Sequence, residues 1–217
     1  MRANIPPSVA SSSGYQQYST MYPGSKENVH WMFWDTNLYV SGAGGSTLLT
    51  FFTALRATKD LSNMLQPGQF PAPYAFLIRQ YRFHVKQQPR TVARAATANP
   101  QPGAIDNIQQ LINGGVLVFR TGSKDYGEHP LWMVPAGAGA YGGLAVDGDT
   151  ADPGLFTDYA LNGVPDAGGC YSLGEPLFIP PLASFSVTVT WPAPLTLAGG
   201  STNVCVVLDG DLIRPVQ

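Results

Sequence analysis

Residues 183–191 read ASFSVTVTW, and this stretch limits the fold more than any other. Phe185, Val187, Val189 and Trp191 alternate with smaller residues at a period of two, the pattern of a strand with one face in a core. Two further β signals flank it, EPLFIP before and NVCVVLDGDLI after. Near the other end, HWMFWDTNLYV, GAGG and STLLTFFTAL read as two strands joined by a glycine turn. GVLVFRTG predicts another strand, KDYGEHP a turn and LWMVP a strand. The 24 Gly and 19 Pro suit short strands with many turns.

One helix stands out, in AIDNIQQLINGG. Ile105, Ile108, Leu111 and Ile112 share a face, Asp106 favours the positive N-terminal end, and Asn113-Gly114-Gly115 supplies a stop. Residues 57–73 read as a long connection with room for one helical turn, 87–103 as a loop, and 136–174 as a long surface excursion. Eight or so strands, one short helix and connections of very unequal length predict an all-β chain, a jelly-roll-type antiparallel sandwich. No repeat of 20 to 50 residues suggests a propeller or solenoid.

The strand in PGQFPAPYAFLIRQYRFHVK, residues 67–86, raises a question of cover. Leu77, Tyr81, Phe83 and Val85 fall on one face, interrupted by Arg79, and read as core. The other face begins with Tyr74, Phe76 and Ile78 and continues with Gln80, Arg82, His84 and Lys86. Phe76 and Ile78 are therefore expected on an outer face, under a loop of this chain or a neighbouring molecule, with Arg82, His84 and Lys86 toward a polar seam.

Charged residues make up only 12% of the chain against about 25% in an ordinary soluble domain, so much of the exterior is expected to lie in contacts. The formal charge of -2 and the lack of any basic run give no general pull toward nucleic acid. Residues 1–28 are rich in Ser, Pro, Tyr and Gln and read as a flexible arm before a single domain at 29–217. The arm is either a frayed end or a segment whose Tyr15, Tyr18 and Tyr22 bury against a neighbouring subunit. No apolar signal segment opens the sequence, and no stretch of about 18 apolar residues could span a bilayer.

The chemical motifs are weak. AGAGAYGG lacks the Gly-Lys-Ser/Thr of a phosphate loop, and TGSKDYG reads as a hairpin turn. Asp147, Asp149 and Asp152 could offer oxygens to a cation, but the spacing departs from the helix-loop-helix calcium pattern and a solvated turn is favoured. Asp209-Gly210-Asp211 reads as a bulge or hairpin. His30, His84 and His129 lack metal-ligand spacing, and no nucleophile elbow accompanies them. No catalytic, cofactor or metal residue is assigned, and the chain is expected not to be an enzyme. Of the two cysteines, Cys205 reads as a buried free thiol, and Cys170 sits in a glycine-rich turn. Trp31, Phe33 and Tyr39 alternate with Met32, Trp34 and Leu38, so one set leaves the core, for sugar stacking or for cover by a partner or the arm.

Taken in order, the aromatic strand with DTN, PGQFPAPYAFLIRQYRFHV, LINGGVLVFRTGSKDY, HPLWMVPAGAG and VCVVLDGDLIRP resemble the single jelly-roll virion proteins of bacterial viruses, from about residue 30 to the end. The resemblance implies a capsid or capsid-associated subunit of an icosahedral phage, located in the virion, with copies of itself or other virion proteins as partners and no catalytic residues. The chain lacks the basic arm of many genome-contacting coat proteins, so a shell over a membrane or over other capsid proteins is equally consistent. A decoration, fibre or tail component, or a carbohydrate-binding sandwich, are the alternatives.

Overall fold

A computed structural model describes residues 5–86, 90–93, 104–137, 139–147, 155–162, 172–197 and 200–216. Strand β1 (Lys26–Tyr39) pairs along its whole length with β11 (Thr202–Pro215), which pairs on its other side with β3 (Ala75–Lys86), which in turn pairs with β9 (Ser172–Ile179). The second sheet runs β2 (Leu48–Phe51), β10 (Phe185–Thr190), β5 (Val116–Thr121), β6 (Lys124–Pro130). All pairs are antiparallel. Among these eight strands the chain changes sheet at every step except the β5–β6 hairpin, which is the winding of a jelly roll.

The alternating residues of β10 enter the core as expected: Phe185, Val187, Val189 and Trp191 are buried between the sheets. Facing them are Phe33, Phe76, Ile78, Tyr81 and Phe83, in a core dense with rings. Phe70 stacks on Phe185 at 4.8 Å, and Phe33 meets Phe76 edge to face at 4.9 Å. Helix α3 (Ala104–Gly114) forms where its amphipathic pattern places it, and buries Ile108, Leu111 and Ile112 in the same core. Trp191 Nε1 donates to Leu111 O at 3.0 Å, so a core ring satisfies one of the carbonyls left open at the helix end. The side chains of Ile105 and Asp106 lie outside the described residues.

Several expectations are corrected. KDYGEHP is strand β6, and the turn is the Gly122-Ser123 pair before it, with Gly122 at φ +57°. LWMVP is not a strand; its first three residues make a 3-10 turn, Leu131–Met133. Among the described residues of 136–174 lie β7 (Ala140–Asp147) and β8 (Leu155–Asn162), which form a third sheet with β4 (Arg90–Ala93) in the order β4-β8-β7, and the start of β9. Residues 57–73 hold no helix, but in one turn there Leu61 N and Ser62 N both donate to Thr58 O at 3.2 Å. The helix at 104–114 is not the only one: α1 (Pro7–Ala10) and α2 (Ser13–Met21) occupy the segment read as an arm, and β1 begins at Lys26, before the expected domain start.

The largest correction concerns β3. Phe76 and Ile78 point into the core, and so do Tyr81, Phe83 and Val85, although the two sets differ in parity. A bulge at Arg79 reconciles them: Gln80 pairs with Asp209 and Ile78 with Gly210, so Arg79 is an extra residue that flips the alternation. The outward residues at the start of the strand are Ala75 and Leu77, not Phe76 and Ile78. Gly210 is required opposite the bulge, because a Cβ there would fall 1.9 Å from Leu77 O. The Asp209-Gly210-Asp211 segment is thus in a bulge region, as its sequence suggested.

Candidate assembly surfaces

The outer face of the β1-β11-β3-β9 sheet divides in two. One half is apolar, with Ala75, Leu77, Phe178 and Ile213, and α1 and α2 lie across it. Ser12 caps α2 by accepting from Tyr15 N at 3.3 Å, and the i, i+3, i+7 spacing of Tyr15, Tyr18 and Tyr22 puts all three on one side of the helix. Tyr15 meets Phe178 edge to face at 5.4 Å, and Tyr18 and Tyr22 lie 5.2 Å apart. Tyr18 is fully buried, with its hydroxyl 3.1 Å from Pro73 O and 3.3 Å from Ile213 O. Burial first, and the neighbouring phenols Tyr15 and Tyr22 second, push its pKa up to about 12. The tyrosines expected to seek a neighbour are therefore placed on this chain's own sheet. The Ser cap followed by tyrosines on a helical stripe was the signal for this, and it lies in plain view at SSGYQQYSTMY.

The other half is polar and carries the remaining expected seam residues. Arg82 donates to Asp209 Oδ2 and, at 3.0 Å, to Gln80 Oε1. Asp209 is only 4% exposed, with His30 Nε2 at 3.5 Å from its other oxygen. Arg79 reaches Asp211 Oδ2 through Nε at 2.8 Å. Lys86 Nζ donates to Asp60 O at 2.7 Å, and His84 stands opposite Cys205 on β11. Cys205 is a buried free thiol with its pKa raised chiefly by burial. Phe76 and Ile78 belong to neither half, whereas Arg82, His84 and Lys86 share this one. The third histidine, His129, is on β6, its ring 5.9 Å from Tyr81, and burial lowers its pKa. Among the described residues no three His, Cys, Asp or Glu side chains gather as a cation site. Cys170, Asp149 and Asp152 lie outside the described residues, as does the side chain of Asp147 at the end of β7.

A third surface is the sandwich edge made by β1 and β2, the outermost strands of their sheets. Phe33 and Tyr39 enter the core, but Trp31, on the same side of β1, is 45% exposed. Met32, Leu38, Val40, Leu48 and Leu65 are also exposed along this edge. Trp34 is half-buried by the chain's own 57–65 connection, with Nε1 donating to Lys59 O at 3.0 Å. That connection also pairs with β1: Thr36 N donates to Leu61 O, Asn63 N to Trp34 O, and Asn63 Nδ2 to Met32 O.

The sequence reading missed one buried group. Asp35 points from β1 into the sandwich, fully buried, where it accepts from Phe52 N at 2.6 Å and from Arg56 Nε at 3.0 Å. Phe52 has φ +68°, a left-handed conformation costly for a bulky residue, and the carboxylate holds it there.

These surfaces belong to a jelly-roll sandwich whose polar groups are largely paired within the chain. No family model matches the sequence, and no curated protein matches it. Among solved structures, VP17, a capsid protein of bacteriophage P23-77, aligns with 88% of this chain and the whole of its own at 10% identity and a TM-score of 0.20. A likeness that loose carries no argument about function.

Proposed function

We propose that this chain is a structural subunit of a virus particle, a jelly-roll capsid protein that works through contacts with copies of itself or with other virion proteins. The observation that carries the reading is the surface: twelve large apolar side chains are exposed among the described residues of a chain with only 12% charged residues. Six of them share the β1–β2 edge. A jelly roll with such an edge suits burial in a shell better than a solitary life in water. The reading includes no turnover, and Asp209 and Asp211, two carboxylates a residue apart on β11, are each engaged by an arginine, which opposes a general-base role. Mass spectrometry of particles purified from the culture that yields this sequence tests the proposal. Abundant copies support it, and absence from the particles ends it.

Exposed Trp31 also favours a second reading, a sandwich that stacks sugars. Retention on a glycan array that is lost in Trp31→Ala would put that reading first.

A further inference from the structure

We propose that β1 is a self-pairing edge: two copies of this chain join antiparallel through residues 28–32, about a two-fold axis at His30, into one continuous eight-stranded sheet. The inference rests on the assembly reading for the claim that copies meet, and it names where they do so.

The argument begins with backbone parity. Thr36 N and Trp34 O bond outward to the 61–63 segment, so the even residues of β1 turn their backbone groups away from β11. Asn28, His30 and Met32 continue that series. Among the described residues, no backbone group bonds to them on that side. The open window has two definite ends. Beyond Met32, whose carbonyl already accepts from Asn63 Nδ2, the edge is covered by residues 61–63. Before Asn28 the chain turns to α2, with Ser25 O held by Val216 N and Lys26 buried beside Ser19. Five residues remain, and their centre is His30.

An isologous contact needs a window that complements itself. Turned about His30, this one does. The two His30 residues exchange both backbone bonds, and each Met32 N–H meets the Asn28 carbonyl of the partner copy. Trp31 then stands opposite Val29 of that copy, an aromatic against a β-branched residue, one of the favourable cross-strand pairs. The window carries no lysine, aspartate, glutamate or proline, the residues with which proteins blunt edges they keep unpaired. His30 is the one titratable group within it. Asp209 and Asp211 of β11, with Arg79 and Arg82 paired to them, face it from the outer side. Two imidazoles brought together at the axis therefore each have a carboxylate at hand.

The register makes a sharp test. Directly opposed residues in a hydrogen-bonded pair have Cα atoms about 5.5 Å apart, within the range of about 4.4–6.8 Å that a disulfide spans. In a Cys170→Ser, Cys205→Ala background of the full chain, His30→Cys is expected to oxidise to a covalent dimer. Asn28→Cys and Met32→Cys should each stay monomeric alone, and cross-link when mixed. His30→Pro removes the central donor while leaving the bonds to β11, and should abolish the dimer boundary in sedimentation with the far-UV spectrum kept. Trp31→Ser should weaken the same association without touching the backbone. Folded variants that give no cross-link, or cross-linking indifferent to position, overturn the proposal. Particles that contain the chain but yield no His30→Cys dimer would sink this contact and leave the capsid reading standing. A register-specific dimer from a chain absent from particles would do the reverse.

Discussion

Strand β3 serves two apolar clusters, and they are built differently. Its inner residues, Phe76, Ile78, Tyr81, Phe83 and Val85, belong to a core closed by the whole opposing sheet and by α3. Its outer residues, Ala75 and Leu77, belong to a small cluster closed only by a segment of about twenty residues that meets the rest of the fold through three tyrosines, Val9 and a turn at Gly24. The first cluster holds the sandwich together. The second is an attachment, and its stability is local.

The strongest way to break this contrast is to damage each cluster in turn. Phe76→Ala leaves a hole between the sheets and should cost about 3–5 kcal/mol in denaturant unfolding, with every probe moving together. Removing residues 1–22 should cost less, leave a single cooperative transition, and expose Leu77 and Phe178 to a hydrophobic dye. A truncated chain that does not fold would show the two clusters to be one unit. Next in size is Asp35→Ala, which strands the Phe52 N–H and leaves Arg56 unpaired. Its expected cost is about 3 kcal/mol, the lower end for a broken buried pair because Arg56 reaches water. An unchanged denaturation midpoint would refute the role given to Asp35.

The outer cluster should also answer to alkali, through Tyr18. The folded Tyr18 phenol titrates near 12, above its ordinary value of 10, so its contribution is whole below pH 10 and is lost as the pH climbs toward 12. Tyrosine ionisation followed at 295 nm should show a late phase that loses the amplitude of one phenol in Tyr18→Phe. The smallest expected effect is that of Tyr18→Phe at neutral pH. It should destabilise by about 0.5–1.5 kcal/mol, the worth of a hydroxyl shared between two carbonyls.

The same contrast explains what could be read from the sequence. Strand β10 and helix α3 were legible because each keeps one period from end to end, and each has one face in one core. Strand β3 was misread at Phe76, Ile78 and Leu77 because its alternation breaks at Arg79, and an arginine interrupting an apolar face does not by itself announce a bulge. The mark is in the partner, at Gly210. Strand β6 was hidden because KDYGEHP has turn residues throughout and only its pairing with Val116–Thr121 across the hairpin makes it a strand. The polar half of the outer sheet was legible in Arg82, His84 and Lys86, which do share a side. Their partners, Asp209 and Asp60, come from distant segments that no spacing rule connects. Asp35 was invisible for a similar reason: a carboxylate inside a sandwich makes sense only once Phe52 and Arg56 are brought beside it.

The position of β11 between β1 and β3 has a further consequence for how the molecule comes into being on the ribosome. Each residue of β1 from Lys26 to Tyr39 waits for a partner between Thr202 and Pro215, and so does most of β3. During synthesis, two long strands rich in tryptophan, tyrosine and phenylalanine stand ready with nothing between them. Such distant pairings are slow to form, and the half-made chain is the species most exposed to sticking to its neighbours. Yield from an expressing cell should therefore depend on temperature and on chaperone supply more than the stability of the finished sandwich would suggest.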